Sequence, residues 1–424
     1  MVAKKTSKHI SQKSIFFLRH NNDIDHMVPV IYKWLETEKI PTGVIITTKK
    51  NLLQDYRINY LRQFKNVNIY HINDLFKKYS KPYFFNIFYF KYDTECDNFF
   101  EKIPFLRKIA DGIIKRIAEK IYKGIDEGFV AFDWISTHFV NEMVKLAKEK
   151  ELTTISLPHG DRPYVSHLEG INFLNYDCLA SQEPSKIYDY VVVPNRLCFE
   201  RYENYLENNK IKILGSPRYC DEWLNIILKM IPTYKVDESK DKYKIVFFLR
   251  NIDYPIFWDE VVRTIKLILQ FEKVYLIIKH HPRNSNAKRL TKKLINIYPE
   301  VEKNIDVNLK FIYGNINSVS LIKWADLIID IGTSVTWDAV KQNKPVLMPE
   351  YLYANYSTIA HYIKKSEIKC RDQLFDMLEQ LIRNKNYKFY NEAEKRKFIR
   401  EVIDVPDKYV LERYVKFLKA CFKN

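Results

Sequence analysis

The chain has 424 residues, of which 46% are hydrophobic and 29% charged, and its formal net charge is +17. This length predicts two to three domains of roughly 150 residues each. The composition is typical of a globular protein and excludes bulk disorder, collagen and low-complexity architectures. The positive charge favours anionic partners, although a Lys-rich genome would produce the same excess.

The cysteine pattern and the hydropathy pattern both bear on the location of the protein. The six cysteines lie at positions 96, 178, 198, 220, 370 and 421, too far apart for a CxxC motif. This spacing predicts a reduced, cytosolic protein. An apolar run of about 18 residues is missing, and the basic N-terminus has no signal-peptide core. We therefore expect a cytoplasmic location, no metal and no cofactor.

Short apolar runs alternate with helical patterns through the first half of the chain. Strands are predicted at Ser14–Leu18, Gly43–Thr47, Val67–Ile72, Phe129–Phe132, Thr153–Leu157, Tyr190–Val193 and Lys212–Leu214. Helices are predicted at Met27–Thr37, Lys102–Ile125 and Ser136–Lys150. This alternation indicates a parallel sheet that is covered on both faces by helices.

The same pattern restarts after a polar, proline-containing segment at Ile231–Asp241. Strands are predicted at Lys244–Leu249, Lys273–Ile278, Asn308–Ile312, Leu327–Asp330 and Pro345–Met348. Helices are predicted at Trp258–Phe271, Val319–Trp324 and Ser334–Gln342, and then through most of 372–424. The sequence thus predicts an α/β fold with two tandem Rossmann-like domains facing across a cleft. They would span 1–230 and 242–371, and the helices of 372–424 would cross back to the first domain.

Loops that follow strands are the candidate sites, because open parallel sheets bind ligands beyond the carboxyl ends of their strands. The loop after the first strand contains Arg19, His20, Asp23, Asp25 and a second histidine. These residues could bind an acceptor, hold a metal or carry out acid–base chemistry, or form a solvated loop. Acceptor binding is the role we assign to the four named residues.

A second loop follows the predicted strand at Thr153–Leu157. His159 is a candidate general base there, since an imidazole titrates near neutral pH and Asp161 could orient it. Asp161 is the alternative base. Arg162 would contact the acceptor. The alternative is a plain turn at the end of a strand. The chain has only 9 glycines, so Gly160 in this loop favours a functional role.

Basic residues suited to a donor phosphate follow the later strands. They are Arg218 in a Gly-Ser-Pro-Arg segment, Arg250, Lys279, His281 and Arg283. Lysine acts on phosphate as a point charge and arginine as a bidentate fork. Pairing of Arg218 with a carboxylate, and a solvated basic loop at 279–283, are the alternatives.

The strand at Leu327–Asp330 runs through Gly332, Thr333 and Ser334 into a helix. Amide groups at a helix start, together with hydroxyls, predict phosphate binding, and simple capping of the helix is compatible with it. Glu350 ends the following strand and could accept hydrogen bonds from ribose hydroxyls.

Four stretches between residues 150 and 355 resemble one family when taken in order: LPHGDRP, ILGSPRYCDEW, IIKHHPR and ADLIIDIGTSVTWDAVKQNKPVLMPE. They are similar to the CDP-glycerol glycerophosphotransferase-like enzymes and bacterial capsule and surface-polysaccharide transferases of the GT-B fold. The resemblance implies a nucleotide-activated donor, often a cytidine nucleotide, on the C-terminal domain. It also implies that His159 activates the acceptor and that Arg218, His281, Thr333 and Ser334 serve the donor side.

We therefore predict a transferase that moves a sugar or alditol-phosphate unit from a nucleotide-activated donor to a bacterial surface polysaccharide or lipid-linked acceptor. One alternative is a GT-B nucleotide-sugar 2-epimerase, and another is a non-catalytic protein that binds an anionic polymer. We predict no nucleic-acid partner, because the chain contains no recognised nucleic-acid motif.

Residues 83–125 are the candidate membrane contact. An aromatic cluster at 83–90 precedes the predicted helix Lys102–Ile125, which carries seven basic and two acidic residues. Aromatic and basic residues together favour docking on an anionic bilayer at the inner face of the cytoplasmic membrane. A core helix with a solvated face, preceded by a buried strand, is the alternative.

Overall fold

The structure is a computed structural model, and the chain forms two compact units. It describes residues 12–48, 50–75, 104–133, 137–159, 164–165, 186–203, 206–232, 234–236, 239–250, 256–281, 287–313, 316–354, 356–384, 386–403 and 409–422. Unit 1 comprises Met1–Gly160, Cys178–Cys220 and Asp404–Asn424, and unit 2 comprises Asp161–Asp177 and Asp221–Ile403.

Both units alternate strands with helices along the chain. The strands are β1 (Ser14–Leu18), β2 (Thr42–Ile46), β3 (Val67–His71), β4 (Phe129–Asp133), β5 (Thr153–Leu157), β6 (Tyr164–Val165), β7 (Tyr190–Val193), β8 (Ile211–Ile213), β9 (Tyr243–Phe248), β10 (Val274–Lys279), β11 (Leu309–Ile312), β12 (Leu327–Asp330), β13 (Val346–Pro349), β14 (Tyr356–Ser357) and β15 (Glu367–Ile368). The helices are α1 (Asn21–Thr37), α2 (Tyr56–Leu61), α3 (Pro104–Ile121), α4 (His138–Lys148), α5 (Arg196–Tyr202), α6 (Asp221–Met230), α7 (Trp258–Leu269), α8 (Ala287–Ile297), α9 (Ser318–Trp324), α10 (Val335–Lys341), α11 (Thr358–Tyr362), α12 (Arg371–Arg383), α13 (Glu392–Phe398) and α14 (Val410–Phe422).

The main sheet of each unit is parallel throughout its described strands. Unit 1 has seven strands in the order β3-β2-β1-β4-β5-β7-β8. Unit 2 has six in the order β11-β10-β9-β12-β13-β15, and β6 pairs antiparallel with β14 in a separate two-stranded sheet. These sheets confirm the predicted pair of α/β domains.

The central strands are buried along their whole length, which explains why they read as continuous apolar runs. Every residue of β1, β4, β9 and β10 is buried except Lys244, which is half-buried. A strand with helices on both faces of its sheet needs apolar side chains on both sides. Helix α4 supplies part of this cover through one apolar face, and the Thr137 hydroxyl accepts a hydrogen bond from the Val140 amide at its start.

The last described helix, α14, belongs to unit 1 and packs against α1. The Tyr414 hydroxyl donates a hydrogen bond to the Gly215 carbonyl at 2.9 Å. This bond holds α14 against the Gly-Ser-Pro-Arg segment that follows β8.

The prediction of a loop after the first strand is wrong for residues 21–26, because α1 already begins at Asn21. The Asp23 carboxylate accepts hydrogen bonds from the backbone amides of Arg19 and His20. These bonds satisfy amides that would otherwise lack partners at a helix start. Helix periodicity alone begins only at Met27, so the sequence pattern places the helix start too late.

The basic helix predicted at 102–125 is present as α3. Its apolar face, including Ile114, Ile117 and Ile121, is buried in the core of unit 1, and its basic residues are exposed. Phe105 near its start is 70% exposed. The aromatic cluster at 83–90 lies outside the described residues. Among the described helices, none combines the length and the hydropathy that crossing a bilayer requires.

Two glycines of unit 1 should respond to alanine in opposite directions. Gly128 has a φ of +137°, and a Cβ there would collide with the Lys13 carbonyl, so Gly128→Ala should destabilise by about 2 kcal/mol or more. Gly112 lies within α3 with nothing near an added Cβ, so Gly112→Ala should stabilise by about 0.5–1 kcal/mol. Urea unfolding midpoints measure both. Equal midpoints for the two variants would contradict the backbone geometry described here.

Candidate functional site

Polar side chains converge at the carboxyl ends of three neighbouring strands of unit 1. Arg19 follows β1, Asp133 ends β4 and His159 follows β5, and these strands pair in parallel. Asp23, in the first turn of α1, joins them. We call Arg19, Asp23, Asp133 and His159 the acid–base cluster.

Hydrogen bonds connect every member of the acid–base cluster. His159 Nδ1 donates to Asp23 Oδ1 and lies 3.2 Å from Asp133 Oδ2. The Arg19 side chain donates to the same Asp133 oxygen from Nε at 3.0 Å and from Nη2 at 2.5 Å. Its backbone amide donates to Asp23 Oδ2 at 2.6 Å. Both carboxylates are therefore fixed by charged or backbone donors.

The charges of the cluster balance when His159 is protonated. Asp23, Asp133 and Arg19 are almost fully buried, and the His159 side chain is 11% exposed. Burial alone would lower the pKa of His159, but the negative charge of Asp23 and hydrogen bonds to Asp133 and Asp23 raise that pKa to about 9. Burial would raise the pKa of Asp23, yet the positive charge of His159 holds it well below its usual range. The imidazole is thus cationic at neutral pH.

Three members of the cluster, Asp23, Asp133 and His159, are spaced closely enough to bind a metal ion. Donor atoms of Asp23, Asp133 and His159 lie within 4.8 Å of one another. A bound cation would have to displace the His159 proton and compete with the Arg19 guanidinium for Asp133. The arrangement therefore fits proton exchange better than metal binding.

A second ionic network lies in unit 1 around Asp25. Asp25 pairs with Arg57, and its other oxygen lies 3.2 Å from Arg218 Nη1. Arg57 also binds Asp55 through two parallel hydrogen bonds of 2.9 and 2.8 Å. The structure thus pairs Arg218 with a carboxylate, which was the alternative in the sequence analysis to binding a donor phosphate.

His20 lies next to the acid–base cluster, with its ring 6.4 Å from that of His159.

In unit 2, the residues after β12 form a tight turn that we call the 330–334 loop. Gly332 has a φ of +69°, and a Cβ there would lie only 3.1 Å from Arg250 Nη1. The Thr333 amide and hydroxyl both donate to the Asp330 carboxylate at 2.6 Å. The Ser334 side chain does not cap α10. Thr333 therefore braces the loop, and simple capping by its hydroxyl is not what the structure shows.

Two carboxyl groups of unit 2 titrate near neutral pH because they are buried. Burial raises the pKa of Asp330 to about 7, although the hydrogen bonds from Thr333 and the charge of Arg250 act to lower it. Burial likewise raises the pKa of Glu350 to about 7, although it accepts hydrogen bonds from the Ser357 hydroxyl at 2.5 Å and amide at 3.1 Å. Glu350 is thus held by the residue that caps α11.

The basic segment after β10 is less cationic than its sequence suggests. Lys279 is buried and donates to the His280 carbonyl at 2.9 Å, and burial lowers its pKa to about 8. Burial, with the nearby charge of Lys279, lowers the pKa of His280 to about 4, so this ring is neutral. It stacks on Tyr313 at 5.0 Å. His281 is half-buried at the same edge.

Three sequence-predicted residues, Asp161, Arg162 and Arg283, lie outside the described residues. The sequence analysis in turn missed Asp133, Arg57 and Tyr353, which contact predicted site residues. Asp133 carries a signal that the analysis could have used, since a carboxylate ending an apolar strand lies at the ligand edge of the sheet. The other two depend on tertiary contacts.

No protein-family model matches the chain, and no curated protein sequence matches it. Solved structures match over nearly the whole chain. A UDP-GlcNAc 2-epimerase from Neisseria meningitidis, bound to UDP-GlcNAc, has a TM-score of 0.61 and 13% identity over 97% of this chain and 100% of its own. The Methanocaldococcus jannaschii UDP-GlcNAc 2-epimerase gives 0.55 and 16%, over 92% and 99%.

A glycosyltransferase from Rickettsia africae also matches, with a TM-score of 0.52 and 10% identity over 98% of this chain and 100% of its own. At these identities the likeness concerns the fold. The chain therefore has the GT-B-like fold of two parallel-sheet α/β domains, as the sequence predicted.

The charge of His159 makes stability depend on pH in a defined window. Because its pKa is raised from 6.5 to about 9, the stabilisation is complete below pH 6.5 and is lost as the pH rises through 9. The full loss is on the order of 3 kcal/mol. Urea unfolding between pH 6 and 10 should show this decline in the wild type, and His159→Gln should flatten it.

The exposed histidine His361 provides the control. His361→Gln should keep the wild-type decline. A wild-type curve that stays flat between pH 6.5 and 9 would show that His159 is not held as a cation.

Proposed function

We propose that the chain is an enzyme acting on a nucleotide-activated sugar, and that its reaction is inversion at carbon 2 of that sugar. The observation that carries this proposal is the buried acid–base cluster, in which His159 is bonded to Asp23 beside Asp133. The fold supports it, because solved UDP-GlcNAc 2-epimerases share that fold. This was the alternative in the sequence analysis, and the structural comparisons support it better than the transferase.

Inversion at carbon 2 can proceed by loss of the C2 proton while a C1–C2 double bond forms and the nucleoside diphosphate leaves carbon 1. The nucleoside diphosphate then returns to carbon 1 and a proton adds to the other face of carbon 2. Such a reaction needs paired groups that exchange protons near neutral pH. His159 is cationic in the resting protein, which favours a role as acid, whereas the sequence analysis had assigned it the role of base. Asp23 holds the ring through Nδ1, so proton exchange with the sugar would take place at Nε2.

The nucleotide would bind to unit 2. Lys279 lies at the carboxyl end of β10, and the 330–334 loop follows β12, with β9 paired to both strands. Parallel sheets bind ligands at this edge, and positive charge there stabilises a diphosphate. UDP-GlcNAc is the first substrate to test, because it is bound in the structure of the Neisseria meningitidis enzyme.

The transferase is the second candidate, favoured by the four sequence stretches that resemble surface-polysaccharide and glycerophosphate transferases. In that case the donor would be a cytidine nucleotide, and the acceptor a surface polysaccharide or a lipid-linked chain. The exposed basic face of α3, with Arg107, Lys108, Lys115 and Arg116, would then support contact with the inner face of an anionic membrane.

Incubation with UDP-GlcNAc alone in D₂O separates the two functions. An epimerase should convert part of the substrate into its C2 epimer and introduce solvent deuterium at carbon 2, which ¹H NMR detects directly. His159→Gln should slow this exchange by roughly 10²–10⁴-fold, the usual contribution of a general acid or base. A transferase leaves the sugar unchanged until an acceptor is added.

Lys288→Gln on the exposed face of α8 is a suitable control and should exchange at the wild-type rate. If neither UDP-GlcNAc nor its CDP-linked counterparts exchange deuterium, while transfer occurs with an added acceptor, the epimerase proposal is wrong.

A further inference from the structure

Arg250 is buried against the 330–334 loop, whereas the sequence analysis expected this residue to contact the donor phosphate directly. It follows β9, the strand that pairs with β12, and it is 6% exposed. Its Nη1 donates to the Gly332 carbonyl. Its guanidinium lies 5.0 Å from the centre of the Tyr353 ring. The side chain is thus buried against the loop and bonded to its backbone.

The contacts leave little freedom at Gly332. A Cβ on this residue would lie 3.1 Å from Arg250 Nη1 and 3.3 Å from the Tyr353 ring. The left-handed φ of +69° also disfavours other residues. The loop backbone is therefore packed closely on Arg250 and Tyr353, and a shift of either side chain would move it.

The charge of Arg250 has a specific neighbour. Asp330 is buried at the other end of the loop, and its charge is affected by Arg250, the two Thr333 donors, the Ile331 amide and Glu350. Arg250 opposes protonation of Asp330, whereas burial promotes it. A buried guanidinium is costly where an apolar side chain would pack as well, so its position indicates a need for its fork and its charge.

We propose that Arg250 is a positioning residue, which holds the 330–334 loop through the Gly332 carbonyl in the conformation that receives the phosphates of the nucleotide. This inference rests on the proposed binding of a nucleotide by unit 2. Tyr353 is its partner, because it fixes the plane of the guanidinium. Lysine cannot replace Arg250, since an ammonium group has neither the planar face nor the fork.

The test measures UDP-GlcNAc binding by calorimetry between pH 6 and 9 for the wild type, Arg250→Lys and Arg250→Met. Arg250→Lys should weaken binding about tenfold at every pH, because it keeps the charge and loses the held loop. Arg263→Lys, at an exposed arginine of α7, should bind as the wild type does.

The pH dependence separates positioning from mere packing. Binding of an anion beside Asp330 is stronger when Asp330 is protonated, so wild-type affinity should fall as the pH rises through about 7. Arg250→Met removes a charge that opposes this protonation, so the midpoint should move to higher pH. Asp330→Asn should reduce the step, and the decline that remains belongs to Glu350 and Lys279, whose pKa values are about 7 and about 8. An unchanged midpoint in Arg250→Met, or wild-type affinity in Arg250→Lys, overturns the inference.

Hydrogen exchange without ligand distinguishes this inference from the proposed function. The amides of Gly332, Thr333 and Ser334 should exchange faster in Arg250→Lys than in the wild type or in Arg263→Lys. If the wild type binds neither UDP-GlcNAc nor its CDP-linked counterparts, the proposed function fails, and faster exchange still supports the hold of Arg250 on the loop. Unchanged exchange rates contradict that hold whatever the binding result.

Discussion

Two buried carboxylates lie at the edge of the unit 1 sheet, and neighbouring residues must supply positive charge to compensate them. Asp23 and Asp133 are removed from water, and an uncompensated charge there would be strongly destabilising. Arg19 and the His159 imidazolium supply the compensation. Because these groups come from β1, α1, β4 and the end of β5, one electrostatic requirement fixes the relative positions of several elements. It also places a titratable histidine at the edge where parallel sheets bind ligands.

Unit 2 repeats this arrangement with a different outcome. In each unit an aspartate ends the strand that pairs with the first strand, and an arginine follows that first strand: Asp133 with Arg19, and Asp330 with Arg250. In unit 1 the arginine binds the carboxylate directly. In unit 2 it donates to the Gly332 carbonyl, so the carboxyl group keeps a raised pKa of about 7. The first arrangement favours proton exchange, whereas the second favours a braced loop beside a carboxyl group that can lose its charge.

Much of this could be predicted from the sequence, because buried parallel strands are continuous apolar runs. The bounds predicted for Ser14–Leu18, Thr153–Leu157 and Tyr190–Val193 agree with the structure residue for residue. The rule that ligand sites follow strands also located Arg19 and His159, which the structure brings into one cluster.

The contacts that decide the chemistry could not be predicted, because they join residues far apart in the chain. His159 meets Asp23 across 136 positions, and Asp25 meets Arg57 across 32. Local reasoning could offer His159 only Asp161, the nearest carboxylate in sequence, which lies outside the described residues, and it could not find Asp23. The sequence also indicates a basic loop at 279–283, although burial keeps the ring of His280, which stacks on Tyr313, neutral.

The charge state of His159 decides most directly whether the acid–base cluster is held together as an ion pair. Long-range ¹H–¹⁵N NMR of histidine-labelled protein, assigned by comparison with His159→Gln, reports whether one or both ring nitrogens carry a proton. At pH 7.5 we expect two protonated ring nitrogens, with a titration only near pH 9. A neutral ring at pH 7.5, titrating near the ordinary value of 6.5, would show that Asp23 and Asp133 do not hold a cation and would remove the basis of the acid–base cluster.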